Sequence, residues 1–279
     1  MLMKLGKNTS QVSELSIELI EEVPVELRLR APLLFVHGAY AGAWCWRPHF
    51  MPYLAAKGYH SFAMSLRGHG GSAGRGELSR WGITDYVADV ARSVEAIRAR
   101  TGRTPVLVGH SMGGFLAMQY ARDNPVAGLA LLATVPPEGL IGSALHLFWR
   151  HPQLLWELNL VQHGDCPPRL AKLREMLFSD EIGEEELIAY AACFQPESER
   201  ALVDMTLPQF DLREPQGRPP ALVMMGEHDV LMPTYLGHSA ARYLGVRAHL
   251  VDKLGHVMML DAHWRQAADL LVDWLEELP

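Results

Sequence analysis

Ser111 stands in Gly109-His110-Ser111-Met112-Gly113, a G-x-S-x-G, where the short apolar run Pro105 to Val108 gives way to the helical spacing of Phe115 and Met118 with Ala117 and Ala121 beside them. A corner that turns a strand directly into a helix strains its central residue and brings strand and helix too close for a Cβ at the flanking positions. Gly109 and Gly113 answer that need. The serine hydroxyl is then expected at the carboxyl end of a sheet. The N–H of Met112, at the start of the helix, would point at any oxyanion formed there. One pentapeptide could therefore supply a nucleophile and one oxyanion donor, although a glycine-flanked serine can also simply cap a helix.

A serine hydroxyl needs a base, and a histidine with an ordinary pKa of about 6.5 can both take and return its proton. Of the 13 histidines, His256 alone falls in a loop after the last expected strand. His110 is fixed beside the serine, His249 lies within a strand, and His238 and His263 lie on expected helices. Asp229 follows the buried run Pro219 to Gly226 and can hold the histidine tautomer. Asp204 falls in the middle of the chain among short helices, and Asp261 is read as the N-cap of the closing helix. Ser111, Asp229 and His256 thus occur in the order nucleophile, acid, base, each just past a strand and so at one edge of a parallel sheet.

With this context the chain resembles proteins of the α/β-hydrolase fold, from about Leu33 to Leu278. The resemblance implies a carboxylesterase- or lipase-like serine hydrolase that cleaves a carboxylic ester through an acyl-enzyme. It also implies that the loop after the Leu33 to Val36 run gives the second oxyanion donor, the N–H of Ala39. The stretch HGAYAGAWCW, residues 37 to 46, is similar to the corresponding loop of plant methylesterases and hydroxynitrile lyases. That likeness keeps cyanohydrin or carbon–carbon cleavage as an alternative, for which an amine or acid side chain above the serine would be expected. A small-molecule receptor that keeps the fold is a third reading, against which an intact triad argues. His37, Trp44 and Trp46 are read as structural. The family usually has aspartate where this chain has Ser65, ahead of a similar R-G-x-G-x-S, and that departure concerns loop structure.

The elements that must position these residues read as α/β with a mostly parallel sheet of eight strands, helices on both faces and an inserted helical cap. Ser13 to Ile20 and Val25 to Leu29 alternate as two antiparallel edge strands around Pro24. Arg47 to Lys57 and a stretch capped by Thr84 and ending at Arg100 read as helices, with a strand at Tyr59 to Leu66 between them. Residues 1–134 and 219–279 form the expected core. Residues 135–218, broken by prolines that include Pro136, Pro152, Pro167, Pro196 and Pro208 and rich in Leu, Phe and Trp, form the expected cap after the sixth strand, some of its apolar residues lining a pocket. Gly68, Gly70 and Ala73 match a dinucleotide pattern, but the polar SAGRGELSRWG that follows opens no helix for phosphates, so nucleotide binding is rejected.

Composition excludes several other classes. Among 279 residues, 25 Lys and Arg against 32 Asp and Glu leave a net charge of −7, with no basic stripe for nucleic acid. An apolar fraction of 49% supports a sizeable core without a run long enough to span a membrane. Cys45, Cys166 and Cys193 have no paired spacing, which suits a reducing compartment. The first ten residues are too poor in apolar side chains for a signal peptide, so a cytoplasmic location is expected. No metal-ligand spacing is found, and neither metal nor cofactor is expected. The expected partner is a small ester with an apolar acyl or alcohol part.

Overall fold

The computed structural model describes residues 15–27, 30–163, 169–206 and 213–278. Among them, seven strands form one sheet in the order β1-β3-β2-β4-β5-β6-β7. The strands are β1 (Leu19–Glu22), β2 (Leu33–Val36), β3 (Ser61–Met64), β4 (Val106–His110), β5 (Gly128–Leu132), β6 (Ala221–Gly226) and β7 (Ala248–Val251). Only β1 runs antiparallel, against β3, and every other neighbouring pair is parallel.

The central strands read as unbroken apolar runs because helices cover both faces of the sheet. Side chains alternate along each strand. Leu33, Phe35, Val106 and Val108 therefore meet one set of helices, α1 (Phe50–Ala56) and α10 (Trp264–Glu277), through Phe50, Leu54 and Leu271. Leu34, Val36 and Leu107 meet α2 (Ile83–Thr101), α3 (Met112–Asp123) and α9 (Thr234–Leu244) through Val90, Val94, Phe115 and Ala240. Fully burying each such side chain contributes about 1.5–3 kcal/mol. The register pairs Val36 with Gly109, His110 with Leu132 and Gly226 with Val251, so the loops that follow all open on one edge.

Five helices are inserted between β5 and β6: α4 (Ile141–Arg150), α5 (Pro152–His163), α6 (Leu170–Leu177), α7 (Glu184–Ala191) and α8 (Glu199–Thr206). None of the helices among the described residues is long and apolar enough to cross a membrane.

The expected α/β architecture is present, with corrections in detail. The described residues hold seven strands rather than eight, so the insertion follows the fifth strand. The expected strand at Val25 to Leu29 has no ladder where it is described, and Val25 is fully exposed, with no neighbour to bury it; residues 28 and 29 lie outside the described residues. The first strand begins at Leu19, Ser13 also lying outside. A 3-10 turn at Ala43–Trp46 delays α1 to Phe50. The second helix starts one residue before Thr84, where the Asp85 carboxylate accepts the Gly82 N–H at 2.9 Å.

Candidate active site

Ser111 sits between β4 and α3 with φ 51° and ψ −118°, the strained corner expected of its motif. A Cβ on Gly113 would lie 2.2 Å from the Val36 carbonyl, and one on Gly109 would lie 2.5 Å from that of Gly113. Backbone, not flexible side chain, blocks both positions. The corner is fastened by bonds from Ser111 N–H to the Leu132 carbonyl and from Val135 N–H to the Ser111 carbonyl.

Asp229 lies in the loop after β6, and its Oδ1 accepts the N–H groups of Leu231 at 2.9 Å and Met232 at 2.8 Å. Its Oδ2 is thereby directed at His256 Nδ1, 2.9 Å away. With the Nδ1 proton donated to Asp229, Nε2 is left as the basic nitrogen. Ser111 and His256 line one cavity of about 240 Å³. Ala39 and Met112 line it too, and Met112 is the first residue of α3, where a backbone N–H has no partner within its helix. The three sequence-predicted side chains and both donor residues therefore converge on one edge of the sheet.

The remaining walls come from both parts of the chain. Cys45, Val135 and Met232 belong to the sheet side, while Leu147, Leu173, Met176, Phe194 and Met205 reach in from the insertion. No Asp, Glu, Lys or Arg among the described residues lines this cavity. A charged group bound there would find no counter-ion among the described lining residues and would lose its hydration.

Histidines excluded as the base have structural work. His110 donates from Nε2 to the His256 carbonyl at 2.9 Å and so braces the backbone of His256. Burial, reinforced by neighbouring His256, drives the His110 pKa well below its ordinary value and keeps the ring neutral. His37 accepts the Leu66 N–H at Nε2 and donates from Nδ1 to the Gly38 carbonyl. Burial and the nearby His69 lower its pKa to about 3. Trp46 stacks on Phe35 inside the core, and Trp44 packs on Tyr190 and Phe194.

Two carboxylates support the loops, Asp261, read in the sequence as a helix cap, and Glu18, which the sequence did not single out. Asp261 is not the N-cap of α10, which begins three residues later; it is buried and accepts N–H groups from Gly255 at 2.8 Å and Ser179 at 2.8 Å, together with the Ser179 hydroxyl. It ties the residue before His256 to the insertion. Glu18 accepts the Ser65 hydroxyl at 2.5 Å and the Gly71 N–H at 2.9 Å. Ser65 in turn accepts the Ala43 N–H at 2.9 Å, so a carboxylate from the segment before β1 supplies, through Ser65, the negative charge that an aspartate would bring directly. Asp204 lies away from the site and accepts the Ile83 N–H. The loop of Gly68, Gly70 and Ala73 leads into a 3-10 turn, Arg75–Arg80, rather than an α-helix, in keeping with the rejected dinucleotide reading. Among the described residues no cluster of His, Cys, Asp and Glu could hold a metal ion.

The sheet order, the serine corner and the inserted helices define a class that comparison with known proteins identifies directly: residues 33–270 match the alpha/beta hydrolase family, and the chain belongs to it. Probable esterase PIR7A of Oryza sativa subsp. indica is 34% identical over 147 residues, 50% of this chain and 54% of that protein, so the match spans about half of the rice relative's length. Monoacylglycerol lipase abhd6-A of Xenopus laevis is 25% identical over 276 residues, 89% of this chain and 76% of that protein. Esterase EaEST from Exiguobacterium antarcticum superposes with a TM-score of 0.73 at 19% identity, covering 95% of this chain and 97% of that one, a likeness of fold.

Proposed function

We propose that the protein is a serine hydrolase that cleaves neutral carboxylic esters with an apolar acyl or alcohol part. His256 Nε2 takes the proton of Ser111 Oγ as the oxygen attacks the ester carbonyl. The oxyanion is met by the N–H groups of Ala39 and Met112, each typically worth about 3–4 kcal/mol in the transition state. His256 returns the proton to the departing alcohol, leaving an acyl-serine. Water then attacks that acyl group, losing a proton to His256; collapse releases the acid and restores the Ser111 hydroxyl. Asp229 keeps the His256 tautomer and stabilises the imidazolium in both halves. Residues 135–218 act as a cap that closes the apolar pocket over the serine.

The observation that carries this reading is the meeting of Ser111 and the Asp229-bound His256 in one cavity walled by apolar side chains. The same lining favours ester hydrolysis over cyanohydrin or carbon–carbon cleavage, since no described residue places an amine or acid above the serine. The test is hydrolysis of p-nitrophenyl esters from acetate to palmitate by wild type and Ser111→Ala. Turnover that is lost with the serine, together with an optimum at an intermediate chain length, is expected. Absence of serine-dependent turnover on every ester would overturn the proposal.

A further inference from the structure

The loop that carries Ala39 continues into Tyr40, whose φ of 65° is a left-handed conformation for a non-glycine residue. Such a backbone persists only where its surroundings over-determine it. Here the restraint comes from the insertion, through the segment that follows α7. The Tyr40 carbonyl accepts the Gln195 N–H at 2.9 Å, and the Tyr40 N–H donates to Glu197 Oε2 at 3.4 Å. The two peptides flanking Tyr40 are therefore held from one side by two residues of one segment.

Glu197 is fully buried. Its Oε1 accepts the Tyr86 hydroxyl at 2.7 Å and the Ser198 N–H at 2.6 Å, and its Oε2 lies 3.1 Å from His69 Nε2 as an ion pair. Gln162 brackets its backbone, donating to the Glu197 carbonyl at 2.7 Å. Gln195 extends the grip by donating to the Gly68 carbonyl at 2.9 Å and accepting the Gly70 N–H at 3.2 Å. Burial acts to raise the Glu197 pKa and lower that of His69, but their mutual attraction outweighs it, so Glu197 is shifted down and His69 up. Each shift favours the charged form of its group. A buried ion pair is weak evidence for stability, because desolvation offsets most of its attraction. Its specific product here is a fixed direction for the Tyr40 N–H.

Building on the serine-hydrolase reading, we infer that Glu197 is a positioning residue for the oxyanion loop. Through Tyr40 it sets the orientation of the adjoining Ala39 N–H, and it makes that orientation depend on the seating of the inserted helices. Loss of this hold leaves the ester free to enter the pocket but meets the developing oxyanion with a misdirected donor. A misplacement of about 1 Å can cost on the order of 100-fold in rate.

The experiment compares wild type, Glu197→Gln, Glu197→Ala and Tyr86→Phe. Rates are normalised to the fraction of enzyme whose Ser111 is titrated by a fluorophosphonate, so that loss of folded protein is separated from loss of rate. The expected result is a roughly 10- to 100-fold fall in kcat for Glu197→Ala, with KM within about 3-fold of wild type. Glu197→Gln, which keeps an acceptor for Tyr40, recovers part of the rate. Affinity for a trifluoromethyl ketone, which forms an oxyanion on Ser111, falls in step with kcat/KM, whereas affinity for the corresponding secondary alcohol does not. Tyr86→Phe, nearly isosteric, shows a smaller loss of the same kind and serves should both Glu197 variants fail to fold. An unchanged kcat per titrated site, or a kcat loss without the matching ketone effect, would overturn the inference. If wild type hydrolyses no ester, the serine-hydrolase proposal fails separately. The inference is then read from the rate of fluorophosphonate labelling of Ser111, which must drop at least 10-fold in Glu197→Ala; an equal rate refutes it.

Discussion

Acidification from pH 6 to pH 5 should destabilise this protein through two histidines whose native pKa values lie below their ordinary value. His37 is held to a pKa of about 3 by burial and by His69, and its Nε2 is occupied by the Leu66 N–H. His110 is neutral for the same first reason, with His256 beside it. In the unfolded chain both titrate near 6.5. The unfolded state therefore binds more protons than the native state below that pH, and stability falls as pH falls. His37 contributes roughly 1 kcal/mol between pH 6 and 5, and His110 acts in the same direction. His69 acts in the opposite sense: its pKa is raised, so its stabilisation is complete below 6.5 and is lost as pH rises through its folded value. That effect sits above the chosen window. Glu197, shifted down, keeps its contribution until the pH falls through a value below the ordinary range for glutamate. Urea unfolding followed by tryptophan fluorescence at constant ionic strength measures the change. In His37→Gln, whose amide can replace both ring bonds, the change should shrink by roughly 1 kcal/mol. Stability that is flat or rises from pH 6 to 5 in the wild type, or an undiminished change in His37→Gln, would refute the reasoning.

Asp229→Asn should leave the fold and substrate KM nearly intact while lowering kcat about 10⁴-fold, as expected when a triad histidine loses its tautomer and its counter-charge; steady-state kinetics on the best p-nitrophenyl ester measures it. Gly113→Ala forces a methyl group to within 2.2 Å of the Val36 carbonyl, so strand and helix must separate; a loss of about 3 kcal/mol or more is expected in urea unfolding.

How much of this was legible in the sequence depended on whether a residue's role is local. The placement of Ser111, Asp229 and His256 was readable because each lies in the turn or loop just past a strand, and parallel register carries all such points to one edge. Gly109 and Gly113 were readable because a strand-to-helix corner has steric needs of its own. Glu18 and Glu197 were not, since their partners, Gly71 and Tyr86, lie 53 and 111 residues away and nothing in the local pattern of either glutamate points to them. Asp261 misled for a related reason: an aspartate ahead of a helical pattern resembles an N-cap, yet its carboxylate turns back to Gly255 and across to Ser179. The strand expected at Val25 to Leu29 failed where it is described because alternation of residue types is not sufficient for a ladder, and the exposed Val25 buries nothing against the sheet; Arg28 and Leu29 of that stretch lie outside the described residues.

The bond from His110 to the carbonyl of His256 joins positions 146 residues apart. A contact of that sequence separation is paid for in loop-closure entropy before it returns anything, so contacts of this kind slow folding. During synthesis the serine corner leaves the ribosome well ahead of β6, β7 and the histidine proposed to deprotonate it. On the proposed mechanism the nascent chain carries an inert hydroxyl until β6 has docked on β5 and β7 on β6. Reactivity at Ser111 is on this account a read-out of completed folding, and the time course of its appearance in a refolding or translation reaction marks when the final strands dock.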